Sequence, residues 1–184
     1  MPIMPGTHEL GPDNASLRIE TKRGGAAARA GHDLVIEVGS WRATLVIGEE
    51  PAESSLVLSA DGGSMEVLEG SGGIMALTDE DKAEIKKTLE DEVLKPGPIE
   101  FSSTQVTPAA DGQRLAVSGE LELNGEKHAL EFGLDLGSVG GLSGTATVKQ
   151  SEWDIEPYSG LFGTLKVKDE VRVVGEASIS SGAP

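Results

Sequence analysis

The sequence predicts an all-β fold, an antiparallel sheet interrupted by one short α-helix. Three observations predict it. Short runs with an apolar residue at every second position recur from Ala15 to Ile179, the period that sends alternate side chains to opposite faces of a strand. Glycine makes up 25 of 184 residues, about twice its usual share of roughly 7%, with no Gly-x-y period, as frequent turns, bulges and close backbone approaches require. Only one segment, residues 78–94, carries both a helix start and a helix stop.

Residues 1–9 read as an N-terminal arm, in which His8 has no assigned role. From there to residue 179 the chain reads as one domain, with 180–184 a flexible tail. Ala15, Leu17 and Ile19 alternate with Ser16, Arg18 and Glu20 in the first run. A strand follows near 32–38, where His32 shares the phase of Leu34, Ile36 and Val38. In the next, Trp41, Ala43, Leu45 and Ile47 share one face. Strands near 54–60 and 64–68 lead to a Gly and Ser loop from Glu69 to Gly73. Thr78 is placed to cap a helix, Asp79, Glu80 and Asp81 suit the positive end of its dipole, and Pro96 with Gly97 ends it. Ile85, Leu89 and Val93 form one narrow apolar stripe, which suits a helix lying over one end of a sheet structure.

Beyond the helix, a strand over 98–108 is followed by Leu115, Val117, Leu121 and Leu123 alternating with polar residues. Asn124-Gly125 then marks a tight hairpin, because both residues tolerate the positive φ that such turns need. The returning strand puts His128, Leu130, Phe132, Leu134 and Leu136 on one face. Strands near 141–149, where Ala146 shares the phase of Leu142 and Val148, near 164–168, and over 171–179 complete the series. A sheet with one greasy face covers it against a second sheet or by closing on itself. Alternation alone fits a sandwich and a barrel equally.

Composition excludes several functions. The formal net charge of -16 repels phosphate backbones and anionic lipid surfaces, so nucleic acid is not an expected partner; the charge suits solubility. With no cysteine the chain has neither disulfide nor thiol chemistry, which fits a reducing compartment. The first ten residues lack a basic segment followed by an apolar one, and no run approaches ~18 apolar residues. A cytoplasmic location and no stable membrane insertion are therefore expected; a homodimer is compatible with the sequence.

Catalytic motifs are missing: there is no G-x-S-x-G, no Walker loop and no Rossmann glycine pattern after a strand. No metal site is expected either, because there is no H-x-x-x-H and no cysteine. His32 and His128 lie in phase with apolar neighbours, so each is expected to point inward near a strand end. There it could bond a ligand's polar head or be satisfied by nearby backbone. The aromatics are few, namely Trp41, Phe101, Phe132, Trp153, Tyr158 and Phe162. An interior built mainly from Leu, Val, Ala and Gly leaves two alternatives, a solid core and a tunnel.

Four segments in order break that tie. They are Gly31-His32-Asp33-Leu34 leading into Trp41; Pro98 to Ser103, PIEFSS; Val117 to Gly125, VSGELELNG; and Gln150 to Val174, with its Trp, Tyr-Ser-Gly bend and Leu-Phe-Gly turn. Together they resemble the YceI-like family, also called polyisoprenoid-binding proteins. The resemblance implies a lipocalin-like antiparallel β-barrel of about eight strands, enclosing an apolar tunnel for a long-chain isoprenoid or similar lipid. It implies a non-catalytic carrier with no cofactor beyond a bound polyprenyl or quinone-type lipid; an enzyme acting on such a lipid inside the barrel is the alternative. Trp153, Tyr158, Leu161 and Phe162, in the family-like closing segment, would line the tunnel or its mouth. Trp41 and Phe132 by phase, Phe101 by family-like position, and Ala146 complete the expected lining.

Overall fold

The computed structural model describes residues 5–137, 140–160, 163 and 165–179. Eleven strands form one antiparallel sheet: β1 (Gly6–Leu10), β2 (Ala15–Glu20), β4 (His32–Val38), β5 (Trp41–Ile47), β6 (Ser55–Asp61), β7 (Met65–Gly72), β8 (Pro98–Pro108), β9 (Arg114–Leu123), β10 (Glu126–Leu136), β11 (Gly141–Lys149) and β14 (Glu170–Ser178). Their order across the sheet is β1-β5-β6-β8-β9-β10-β11-β14-β2-β4-β7. Three short strands, β3 (Arg23–Gly24), β12 (Ser159–Gly160) and β13 (Leu165–Val167), make a second small sheet in the order β12-β13-β3.

Two kinked strands carry the large sheet round on itself. The ladder between β4 and β7 continues into that between β5 and β6, because the Gly39 N–H donates to the Ser64 carbonyl (2.9 Å) and the Asp61 N–H to the Ser40 carbonyl (3.0 Å). The result is one long bent hairpin, with β4 paired to β2 and β6 paired to β8 at opposite ends of the strand order. A sheet that curls this way covers its own apolar face.

The strands form where alternation places them, and the faces are those expected. Leu45, Val106, Val117 and Trp153 are almost wholly buried. On the outer face, charged neighbours pair across strands, as in Arg18 with Glu176 at 2.6 Å and Arg172 with Glu20 at 3.1 Å. The Asn124-Gly125 turn has φ of 55° and 77°, the conformation that matches strand twist in a two-residue hairpin. It joins β9 to β10 with Leu123 opposite Glu126.

Helix α1 (Asp79–Thr88) starts as its sequence requires. The Thr78 hydroxyl accepts the Asp81 N–H (3.1 Å) and the Asp81 carboxylate accepts the Thr78 N–H (2.8 Å), a reciprocal cap. After Thr88 the coil widens into one π turn, Leu89–Val93, closed by the Leu94 N–H on the Leu89 carbonyl at 2.7 Å. Lys82 donates to the Leu68 carbonyl (2.9 Å) and Lys86 pairs with Glu66, fastening the helix to the edge strand β7.

Three details depart from the sequence reading. Most of the expected arm is strand: Gly6–Leu10 pairs with β5, from Gly6 opposite Ile47 to Leu10 opposite Ala43. An edge strand is held by backbone hydrogen bonds and needs no alternation of its own. The expected Glu69–Gly73 loop is strand as far as Gly72, since β4 supplies partners along its whole length to His32 opposite Gly72. The strand count exceeds about eight because these edges, and the kinks that divide the long hairpin, add segments to the same curled sheet.

Candidate functional site

The sheet's inner face does not close into a solid core. A cavity of about 260 Å³ lies inside it. One wall is made of large residues: Trp41 on β5, Phe101 on β8, Leu121 on β9, Leu130 and Phe132 on β10. The Phe101 and Phe132 rings lie 5.3 Å apart at an interplanar angle of 56°, a tilted contact that favours the ring quadrupoles. The wall contributed by β2, β11 and β14 has small residues: Ala15, Gly144, Ala146, Gly175 and Ala177. Register explains their grouping, since Gly144 opposes Gly175, Ala146 opposes Val173, and Ala177 opposes both Leu142 and Ala15. A Cβ built on Gly175 would meet no heavy atom within 4 Å. That glycine therefore opens the chamber.

Above the chamber lies a second, larger space of about 860 Å³. Its roof is α1 and the π turn, and its sides come from the small sheet and from residues 74–78. Both spaces share Thr21, Ile36, Leu89, Val93 and Gln150 as wall residues, so the chamber opens into this vestibule. Two buried polar side chains stand at the junction. The Thr21 hydroxyl accepts the Leu34 N–H (3.3 Å) and the Gln150 amide donates to the Lys168 carbonyl (3.1 Å). The helix stripe Ile85, Leu89 and Val93 faces this space as the sequence predicts.

The vestibule also carries charge: Arg23 and Lys166 against Asp81 and Glu84. Asp81 is held by its cap, whose hydrogen bonds from the Thr78 backbone and hydroxyl keep its carboxyl below the usual range. Just outside, burial raises the Asp33 carboxyl, but the Arg23 N–H at 2.9 Å and the Lys22 ammonium outweigh it and leave it lowered. The Asp169 carboxyl is lowered by hydrogen bonds from the Ser151 hydroxyl (2.5 Å) and backbone N–H (2.8 Å), against a smaller burial effect. These carboxylates tie loops together.

The structure gathers Trp41, Phe101, Phe132 and Ala146 around the chamber, and His32 and Tyr158 in the vestibule. His32 Nε2 lies 2.7 Å from the Met75 carbonyl oxygen, so backbone satisfies it. Trp153 is buried without facing either space; its Nε1–H donates to the Leu121 carbonyl at 2.9 Å. His128 corrects the expectation of an inward histidine: its side chain is 44% exposed and its ring stands edge-on over Trp153, centroids 5.4 Å apart. Its phase matches Leu130 and Phe132, but it lies three residues from the hairpin turn at Gly125, past the reach of the cavity. Leu161 and Phe162 lie outside the described residues. The sequence reading missed Arg23, Lys166, Thr21, Gln150 and Gly175. Only Gly175 had a legible signal, its phase with Val173 and Ala177.

Among the described residues no group of three His, Cys, Asp or Glu side chains could hold a metal ion, and no helix is long and apolar enough to cross a membrane.

Curled antiparallel sheet, apolar chamber and polar-rimmed mouth together define a lipocalin-like β-barrel built around an internal cavity. The chain belongs to the YceI-like family, whose domain model matches residues 16–179. It is similar in fold to BcnA of Burkholderia cenocepacia, at 14% identity and a TM-score of 0.65, over 90% of this chain and 96% of that one. A mutant CJ YCEI protein with a monobromobimane guest aligns at 12% identity and a TM-score of 0.58, over 80% and 85% of the two chains. The YCEI protein of Campylobacter jejuni aligns at 14% identity and a TM-score of 0.50, over 79% and 85%. No curated protein sequence matches the chain.

Proposed function

We propose that this protein is a non-catalytic carrier that shields one long-chain isoprenoid, or an isoprenoid-quinone-like lipid, from water. The chain would lie in the chamber and the polar head in the vestibule. One observation carries the reading: an almost wholly apolar cavity opens, past Thr21 and Gln150, into a space edged by Arg23, His32, Tyr158 and Lys166. That gradient from dry to polar matches a molecule with an apolar tail and a polar end. Each methylene buried contributes about 0.8 kcal/mol, so tail length sets affinity until the chamber is full.

Catalysis inside the barrel would call for an inward polar pair with a perturbed proton equilibrium. The carboxylates with lowered values, Asp33, Asp81 and Asp169, instead hold caps and loops. Mass spectrometry of an organic extract of the gently purified protein tests the carrier reading. A stoichiometric long-chain lipid is the expected result. An extract without such a lipid, together with no uptake of a polyprenol at micromolar concentration, overturns it.

A further inference from the structure

We propose that the loop between β7 and α1 is a docking lip that seats the mouth of the cavity on a lipid bilayer. The proposal rests on the carrier reading for its choice of partner. Ile74 is 82% exposed and Met75 78% exposed; among the described residues the other exposed large hydrophobics reach only 50% (Val57) and 41% (Leu68). Together they form a small apolar tip held in water beside the mouth of the cavity.

Their position says what covers them. Both residues edge the vestibule, together with Leu77, Arg23 and His32. The lip has a fixed shape: Gly72 and Gly73 have φ of 80° and 73°, and His32 holds the Met75 carbonyl at 2.7 Å. The Arg23 guanidinium and the His32 ring occupy the room that side chains at Gly72 and Gly73 would need.

A second protein is the poorer fit. A stable protein interface buries on the order of 1,000 Å² or more, whereas this apolar surface is two side chains with exposed Ala76 beside them and the acidic Asp79 and Glu80 soon after. A small apolar tip flanked by polar groups suits insertion at the boundary between headgroups and acyl chains. Seated there, the mouth meets the bilayer interior, and a long tail passes into the chamber without crossing water. The acidic start of α1 and the net charge of -16 make a neutral surface the favoured one, since anionic lipid attracts clustered cations.

The chain has no cysteine, so Met75→Cys gives a single site for an environment-sensitive fluorophore, and Val57→Cys, on the outer face of β6, gives a control. With phosphatidylcholine vesicles carrying a quencher in their acyl chains, the label at 75 is expected to be quenched and the label at 57 to be unaffected. Ile74→Ser with Met75→Ser should slow transfer of a fluorescent prenyl probe from those vesicles at least tenfold, a larger loss than in uptake of the same probe added from ethanol. Equal quenching at both sites, quenching at neither, or an unaltered transfer rate would overturn the lip. If the unaltered protein takes up no probe from vesicles or from ethanol, the carrier reading fails by itself. Quenching then decides the lip alone: confined to position 75 it upholds docking, and any other pattern refutes it.

Discussion

Chamber and vestibule are built by different means. The chamber is walled by strands whose ladders fix every side chain's direction, so its shape follows from register: Phe101 and Phe132 on one side, Gly175 and Ala146 on the other. The vestibule is assembled from a helix, a small sheet and loops, tied by single contacts such as Asp33 to Arg23, Asp169 to Ser151 and His32 to Met75. Stability should therefore reside in the chamber and adaptability around the vestibule.

That difference can be broken by substitution, and the largest effect belongs to the chamber. Phe101 is 4% exposed, and Phe101→Ala should destabilise the protein by about 3 to 5 kcal/mol, read from urea unfolding, while leaving a wider chamber that still takes up lipid. Gly175→Phe should do the reverse. Its ring enters open space, so the melting temperature should stay near that of the unaltered protein, while polyprenol affinity falls about a hundredfold, or 2.7 kcal/mol. A large loss of stability with Gly175→Phe would mean that the space collapses in solution.

Vestibule changes should cost less. Thr78→Ala removes the helix cap and should lower stability by about 1 kcal/mol, with faster hydrogen exchange in α1 and unchanged exchange in β9 and β10. Equal acceleration in both regions would erase the distinction. The smallest effect comes with acid. Asp33 and Asp169 have lowered carboxyl pKa values in the folded protein; their contribution is complete above the ordinary carboxylate range of about 4 and is lost as pH falls through the lowered values. Both are only half-buried and screened by water, so the loss is small. Asp33→Asn with Asp169→Asn should flatten the fall in melting temperature between pH 5 and pH 2, and an unchanged slope would contradict the assignment.

The same contrast explains what the sequence could show. Alternation located the chamber, since period two names the inward residues of each strand whether or not its partners are known; Trp41 and Phe132 follow from it directly. It names a face but not how far the cavity runs along it, which is why His128, in phase yet next to a turn, lies outside. The vestibule has no period to read. Arg23 and Lys166 meet there because β3 and β13 pair, Lys166 opposite Gly24 and Val167 opposite Arg23, across more than 140 positions of chain and in strands too short to announce themselves. Trp153 shows the limit of family-like position: it is buried as expected, but its indole bonds a strand carbonyl and forms part of the core beside the chamber.

A chamber that holds the tail of a lipid should discriminate by tail length, and titration of the purified protein with prenols of increasing length is the sharpest test of that. Trp41 lines the chamber and reports occupancy through its fluorescence; Trp153→Phe removes the background of the second indole. Affinity should rise with each added isoprene unit and then level off once the chamber is filled, with the Trp41 signal changing in step. Affinity independent of chain length, or binding that leaves Trp41 unaffected, would mean that the tail does not lie in the chamber.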